Sequence, residues 1–250
     1  CVYESGIHQL YTEREDIQIE QKYQQAVFFY LETLRVFLKW EQQQIPFCRT
    51  SHFLFETEQE QKDSPYAEEY QQFLKCFADG YVYELMRIGR EIMPFDMVAH
   101  VAGVHMVAMH IARQLAVIGI PVDLRLVSGA AAIHDIGKYG CRENEVRRIP
   151  YLHYYYTDIW CKENGLSAIG HIAANHSTWD LELENLPVES LILIYADFRV
   201  KSSGKDANGK EIMTFYDLAS SFQVILDKLD NVDDAKEKRY RHVYSRLEDF

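Results

Sequence analysis

Apolar residues recur along most of the chain at intervals of three, four and seven positions, which is the repeat of an α-helix with one buried face. No series of regularly spaced, alternating segments indicates a sheet, and glycine (12) and proline (6) are few among the 250 residues. The pattern therefore predicts an all-α protein. One departure from helix is expected at residues 201–211, where Ser-Ser-Gly and Asn-Gly predict a flexible loop or a short hairpin. We expect this segment to influence access to a neighbouring site.

The predicted helices divide the chain into three parts. Residues 1–94 are expected to be a helical accessory region, residues 95–212 a central core, and residues 213–250 a pair of C-terminal helices packed on that core. Individual helices are predicted near 15–43, near 213–230 and near 233–248, and a further helix is predicted to end at about residue 92. Because the sequence opens on Cys1 rather than methionine, further domains of a longer polypeptide stay open as partners. A second copy of the chain, in a homodimer, is a separate alternative.

Histidines are concentrated in one part of the chain, and helical phase sorts them. Seven of the ten lie within residues 100–176. A side chain that points into a bundle shares the apolar stripe of its helix, so it has apolar neighbours three, four or seven positions away. By that test His105 points inward, whereas His100, five positions away, points off the stripe, and His176 is selected over His171. His100 and His171 are therefore expected to tolerate replacement by alanine.

The same test places further histidines and two carboxylates on apolar faces. The inward set is His105, His134, Asp135, His153, His176 and Asp197. One such histidine alone is usually a hydrogen-bonded core residue, but six buried ionisable groups need partners, and a shared cation supplies them. Imidazole with carboxylate suits iron or manganese first, and zinc, cobalt or nickel next, while the absence of an inward cysteine at ligand spacing argues against a structural thiolate zinc site. The sequence therefore predicts a transition-metal centre.

In this order the set resembles the ligand pattern of the HD superfamily of metal-dependent phosphohydrolases, which is named for the doublet His134-Asp135. The resemblance covers about residues 96–201, and the Ile-Gly-Lys after the doublet is typical of the HDIG subgroup. The segments around the last histidine and the last aspartate look like those of HD-type dinucleoside tetraphosphate hydrolases and cyclic-dinucleotide phosphodiesterases. Asn175 stands where the HD-GYP branch has the first histidine of a His-His pair, so the chain departs from that branch.

The resemblance implies an all-α HD-domain helical bundle, two divalent transition metals and hydrolysis by a metal-activated hydroxide. It also implies that Asp135 is catalytic, because this carboxylate would bridge the two ions. The ligands of the first ion would be His105, His134, Asp135 and Asp197, and those of the second would be Asp135, His153 and His176.

Lys138 follows the doublet at the predicted end of its helix, where an ammonium would meet a substrate phosphate. We expect it to be a second catalytic residue, with one alternative left open: a solvated lysine that complements the helix dipole. Other basic residues border the predicted site and would supply anion contacts, although each taken singly is more simply a surface residue. They are Arg142, Arg147, Arg148, Arg199 and Lys201.

Charge and cysteine content narrow the expected partners. The formal net charge is −12 and the isoelectric point is near 5.3, which disfavours long nucleic acid and leaves a small phosphorylated substrate as the expected partner. The five cysteines form no close pair and are odd in number, as expected for reduced thiols in the cytoplasm. No apolar stretch is long enough to span a bilayer, so no membrane partner is expected.

These observations favour a metal-dependent phosphohydrolase that acts on a small nucleotide or a related phosphate ester. Two alternatives stay open. A di-iron HD-type oxygenase would use the same six-ligand pattern, and activity without oxygen would discriminate against it. A non-catalytic HD signalling module would be expected to lack ligands, whereas all six are present here.

Overall fold

The computed structural model describes the chain from residue 53 onward with gaps. The described residues are 53, 55–56, 60, 63–80, 82–83, 85–87, 97–141, 143–177, 185–207, 209, 211–228 and 233–250. The helix predicted over 15–43 and the helix end predicted near residue 92 lie outside the described residues, as does Arg142.

The described elements are helical except for one two-stranded sheet, which confirms the predicted all-α class. The α-helices are α1 (Ala67–Asp79), α2 (Met97–Val117), α3 (Leu124–Ile133), α4 (Ile149–Glu163), α5 (Ser167–Ala174), α6 (Val188–Arg199), α7 (Leu218–Lys228) and α8 (Asp234–Asp249). Two 3-10 helices, Ile136–Gly140 and Glu143–Arg148, connect α3 to α4, and strands β1 (Val200–Lys205) and β2 (Glu211–Phe215) connect α6 to α7. Within the described part of the chain, no helix is both long and apolar enough to cross a membrane.

The two strands pair antiparallel, so the expectation for residues 201–211 is confirmed in its hairpin form. The following helix begins at Leu218, later than predicted, because residues 211–215 first pair with β1. Asp217 marks this start by accepting hydrogen bonds from the backbone N–H of Ser220 (2.7 Å) and from its hydroxyl (2.9 Å).

Helix α3 lies at the centre of the main hydrophobic core, and every one of its residues is buried. Its small side chains let neighbouring helices approach closely: a Cβ at Gly129 would lie 2.8 Å from the side chain of Ile169 in α5. Asp123 caps the helix by accepting from the backbone N–H groups of Arg125 and Leu126, an interaction worth about 1 kcal/mol. The C-terminal end of α3, which carries the His-Asp doublet, is therefore held inside the core.

Helix α6 lies between two hydrophobic clusters. Leu193 and Ala196 belong to the main core, whereas Ile194 and Phe198 belong to a smaller cluster completed by residues of α7 and α8. The main core also contains residues of the predicted accessory region, such as Phe73 in α1. The division of the chain into three domains stays a prediction.

Candidate metal centre

The His-Asp doublet lies where α3 turns into the first 3-10 helix. His134 is the C-cap residue of α3, Asp135 precedes Ile136–Gly140, and both side chains are buried. Thr157 of α4 holds this turn, since its hydroxyl donates to the carbonyl of His134 and accepts from the N–H of Gly137, both at 3.1 Å. The turn is therefore fixed against α4.

Gly137 permits that close approach. A Cβ at this position would lie 2.0 Å from the carbonyl oxygen of His153 and 2.4 Å from the backbone nitrogen of Thr157, and no side chain can be accommodated at such distances. The glycine of the Ile-Gly-Lys segment thus brings α4 against the doublet. As a result, His153 Nε2 lies 3.5 Å from Asp135 Oδ1.

Two groups of side chains that could each hold a metal ion share Asp135. The first group is His100, His134 and Asp135, and the second group is Asp135, His153 and His176; within each group the ligand atoms lie within 4.8 Å of one another. Asp197 adjoins the first group, because its Oδ1 lies 3.1 Å from His100 Nε2. We refer to the two groups and Asp197 together as the ion site.

The two oxygens of Asp135 face different groups. Oδ2 lies 3.5 Å from His100 Nε2 and 3.7 Å from His134 Nε2. Oδ1 lies 3.5 Å from His153 Nε2 and 3.8 Å from His176 Nε2. One carboxylate is therefore placed to serve both groups at once.

Backbone carbonyls fix the tautomer of three of these histidines. The Nδ1 atoms of His134, His153 and His176 lie 2.9, 2.7 and 2.6 Å from the carbonyl oxygens of residues 131, 149 and 173, respectively. A carbonyl oxygen can only accept, so each Nδ1 must carry the proton. Each neutral ring then presents a bare lone pair on Nε2, which is the form that binds a metal.

The described part of the protein gives these lone pairs no suitable hydrogen-bond donor. The Nε2 atoms of His153 and His176 face each other at 3.3 Å, and in the tautomers just assigned neither has a proton to donate. His134 Nε2 is buried and has no hydrogen-bond partner among the described residues. Unpartnered buried nitrogens cost free energy. A cation in each of the two groups would satisfy these nitrogens, so the donor set fits metal ions.

The two carboxylates are ionised, although Asp135 is buried and Asp197 is half-buried. Burial by itself raises the pKa of Asp135, but the ammonium of Lys138 and the surrounding imidazoles outweigh it and hold that pKa well below its usual value. The pKa of Asp197 is likewise held well below its usual value, because Lys201 and His100 outweigh the effect of burial. Both groups are therefore in their metal-binding form at neutral pH.

The buried histidines are neutral for the opposite reason. Burial lowers the pKa of His176 to about 3, with the neighbouring imidazoles adding to the effect. Burial also lowers the pKa values of His134 and His153, although the charge of Asp135 opposes it. Neutral imidazoles beside ionised carboxylates are the states in which both residue types coordinate a cation.

His105, which helical phase selected as a ligand, is not brought to the ion site. It is fully buried, but its Nε2 lies 3.1 Å from the hydroxyl of Ser128, and its ring packs edge-on against Phe53 and Phe55 with centroids 5.4 Å away. His100 lies in the ion site instead, and this corrects the ligand set predicted from the sequence. The reason is that α2 is buried on more than one side, so its apolar stripe leads into the aromatic part of the core.

A signal for His100 was present in the sequence. Gly103 lies three positions further along α2 and so on the same side of the helix. A Cβ there would lie 2.9 Å from the side chain of Val200, three residues beyond Asp197. The glycine thus marks the side of α2 that the end of α6 approaches.

The structure brings the other predicted ligands together at the ion site. His134, Asp135, His153 and His176 lie together, and Asp197 joins them through His100. His176 lies just beyond the end of α5 rather than within it, whereas His171 is exposed on that helix.

The basic residues around the ion site differ in their contacts and in their exposure. Lys138 Nζ lies 2.5 Å from Asp135 Oδ2, and Lys201 Nζ lies 3.1 Å from Asp197 Oδ1. Arg147 and Arg148 are exposed. The two lysines therefore neutralise the two carboxylates of the site.

Tyr154 is a neighbour that the sequence did not single out as a site residue. Its ring centroid lies 3.9 Å from that of His153 and 4.6 Å from that of His176. The tyrosine ring thus packs against both imidazoles of the second group. Its position directly after His153 is visible in the sequence, but the sequence alone does not distinguish a neighbour of the site from an aromatic residue of the core.

Comparison with known families agrees with this geometry. The family model described as HD domain matches residues 97–198, a range that begins with α2 and ends within α6 and includes every residue of the ion site. No curated protein and no solved structure matches the chain. Membership of the HDIG subgroup stays a prediction. Residues 97–198 are thus an HD domain, and proteins of this family are generally metal-dependent phosphohydrolases.

Proposed function

We propose that the chain is a phosphohydrolase that acts on a small nucleotide or a related phosphate ester with the help of two divalent metal ions. The observation that carries the proposal is the meeting of His153 Nε2 and His176 Nε2 at 3.3 Å beside the shared carboxylate of Asp135. Two bare lone pairs at that distance, next to an ionised carboxylate, suit a cation.

The residues that would hold the ions follow from the two groups. His100, His134, Asp135 and Asp197 would hold one, and Asp135, His153 and His176 would hold the other. A donor set of imidazoles and carboxylates favours iron or manganese, with zinc, cobalt and nickel as further candidates. Bound ions of this kind polarise a phosphoryl group and lower the pKa of water, which allows hydrolysis without a protein nucleophile.

The charges of the protein residues favour an anionic substrate. Asp135 and Asp197 contribute two negative charges, Lys138 and Lys201 contribute two positive charges, and the buried histidines are neutral. These charges balance, so a divalent cation held at the ion site leaves it positive. A phosphate group supplies the compensating negative charge.

Lys138 has the position of a residue that binds the substrate. Its ammonium lies at the edge of the ion site, with 21% of its side chain exposed, whereas the Asp135 side chain that it contacts is 3% exposed. An ammonium so placed can keep one hydrogen bond to the carboxylate and donate another to a phosphate oxygen, because it has three donors. Lys138 would thereby orient the phosphate toward the ion site.

The net charge of the whole chain favours a small substrate. A formal net charge of −12 repels long polyanions, while the local cations suit one or two phosphate groups. We therefore expect a small phosphorylated metabolite rather than polymeric nucleic acid.

The test is a substrate panel on protein reconstituted with manganese or iron. Mononucleotides, dinucleoside polyphosphates, cyclic dinucleotides and oligonucleotides are incubated with the wild type and with Asp135→Asn, and phosphate ester cleavage is followed with and without oxygen. Cleavage of a small ester that needs Asp135 and continues without oxygen supports the proposal. A preference for long nucleic acid, or a reaction that requires oxygen, contradicts it.

A further inference from the structure

One basic residue at the solvent-exposed edge of the ion site, which we call its rim, makes two contacts with Asp197. Lys201, on strand β1, donates from Nζ to the backbone carbonyl of Asp197 at 2.6 Å and lies 3.1 Å from its Oδ1. Its side chain is 16% exposed, so the ammonium is at the border between the protein interior and solvent. The pairing of β1 with β2, which sets Lys201 opposite Thr214, fixes the strand that carries it.

Arg199, two residues earlier, is committed elsewhere. Its guanidinium donates to the hydroxyl of Tyr195 and to the carbonyl oxygen of Tyr216, and it lies 4.0 Å from the centre of the Phe215 ring. These contacts hold the arginine against the base of the hairpin. The geometry therefore distinguishes Lys201 from Arg199, although both border the site in the sequence.

Lys201 and Lys138 occupy equivalent places on either side of His100. Lys138 contacts Asp135, His100 Nε2 lies near both carboxylates at 3.5 and 3.1 Å, and Lys201 contacts Asp197. The order along this row is ammonium, carboxylate, imidazole, carboxylate, ammonium. Each carboxylate that would hold an ion thus has its own lysine at the rim.

We propose that Lys201 is a second substrate-binding cation, which shares Asp197 with the bound ion and donates to the phosphate of the substrate. This inference rests on the proposed function and adds a residue to it. A metal ion on Asp197 repels the neighbouring ammonium and competes with it for the carboxylate oxygen. The ammonium has three donors on a flexible chain, so it can turn to a phosphate oxygen that arrives at the same rim.

The proposal predicts effects of opposite sign on two ligands. Replacing Lys201 by methionine removes the competing charge, so the protein should hold Mn²⁺ about three- to tenfold more tightly. The same replacement removes a charge-assisted hydrogen bond, so the manganese-loaded protein should bind inorganic phosphate about tenfold or more weakly. A lysine that only supported the fold would not tighten one ligand while weakening the other.

The experiment measures both ligands on the intact protein. Manganese-loaded protein is challenged with a chelator to obtain its affinity for Mn²⁺, and loaded protein is then titrated with inorganic phosphate in a calorimeter. Lys201→Met is compared with Lys201→Arg, which keeps the charge and should restore most of the phosphate binding. Lys205→Met is the matched control, because Lys205 is an exposed residue of the same strand and should leave both affinities unchanged.

The outcomes separate this inference from the proposed function. Tighter Mn²⁺ binding with weaker phosphate binding in Lys201→Met supports it. Unchanged phosphate binding in that variant, or weaker Mn²⁺ binding with circular dichroism like that of the wild type, overturns the role of Lys201 while leaving an active wild type a phosphohydrolase. If the wild type itself neither binds phosphate nor cleaves any ester, the proposed function fails, and the inference fails with it.

Discussion

Two histidines of helix α2, His100 and His105, are five positions apart and have different chemical surroundings. His100 reaches the carboxylates of Asp135 and Asp197, whereas His105 contacts a serine hydroxyl and packs edge-on against two phenylalanine rings. The residue in the aromatic surroundings is the more deeply buried of the two. Burial on an apolar face therefore does not identify a metal ligand, and the hydrogen-bonding partners of the imidazole do.

The surroundings of His105 form a polar cluster of their own. The hydroxyl of Ser128 lies 3.1 Å from His105 Nε2 and 2.8 Å from the hydroxyl of Tyr70, which in turn accepts from the backbone N–H of Glu56. The carboxylate of Glu56 also pairs with Arg125 at 3.2 Å. This cluster connects α1, α2 and α3 by hydrogen bonds, so we expect His105 to contribute to folding rather than to ion binding.

The largest expected effect is at Asp135, the residue that both groups of the ion site share. Asp135→Ala removes a carboxylate from both groups at once, so we expect ester hydrolysis to fall by at least about a thousandfold. The metal content of the purified protein should fall in parallel, as measured by elemental analysis. Full metal content and full activity in a folded Asp135→Ala protein would refute the shared carboxylate.

His100→Ala is the variant that sharpens the comparison on α2. It removes the imidazole that joins Asp197 to the first group, so activity should fall by about a hundredfold. His171→Ala is the matched control, because His171 is exposed, and this variant should keep activity within about twofold. Kinetic assays on both variants, with folding checked by circular dichroism, decide the assignment. If His171→Ala is the inactive variant, the geometry of the site is contradicted.

His105→Leu should have a different effect from His100→Ala: the protein should lose stability but bind metal ions normally. The substitution removes the hydrogen bond to Ser128 from a fully buried site, which should lower the free energy of unfolding by about 1–3 kcal/mol. Metal content and activity per folded molecule should match those of the wild type. Urea denaturation measures the first effect and elemental analysis the second; loss of metal from a folded His105→Leu protein would return His105 to the ion site.

The smallest expected effect is a pH dependence that belongs to His105. Burial, with a smaller contribution from the charge of Arg113, lowers its pKa from 6.5 to about 3, so the unfolded chain takes up a proton that the folded chain does not. The resulting contribution to stability is present above pH 6.5 and is lost as the pH falls from 6.5 toward 3. At pH 5.5 the loss should be about 1.4 kcal/mol.

The wild type should therefore lose more stability between pH 7.5 and 5.5 than His105→Leu does. Urea denaturation at both pH values gives the difference between the two proteins, in which contributions from the other histidines cancel. Equal losses in the two proteins would show that His105 is not held neutral by its surroundings.

Most of the ion site could be predicted from sequence because its residues continue the apolar pattern of their helices. His153 and the doublet on α3 follow that rule, and the hairpin between β1 and β2 was visible from its Ser-Ser-Gly and Asn-Gly turns. His100 could not be chosen by phase, because α2 packs on several sides and the apolar stripe marks only one of them. A polar residue next to a second contact face has no periodic signature.

The role proposed for Lys201 was also beyond the sequence. It lies two positions after Arg199, and composition alone does not distinguish the two cations. What distinguishes them is the hairpin: it folds back so that the carbonyl of Tyr216 and the ring of Phe215 engage Arg199, while Lys201 returns to Asp197. These contacts depend on the register of the two strands, which the turn residues alone do not fix.

The position of α6 between two hydrophobic clusters affects which helices an isolated fragment with the ion site would need. The match to the HD family ends at residue 198, yet Ile194 and Phe198 are buried by residues of α7 and α8 that lie beyond that boundary. A fragment cut at the family boundary would expose both side chains on the same helix that carries Asp197. We therefore expect that, in this chain, the smallest fragment that presents a complete ion site includes the C-terminal helices.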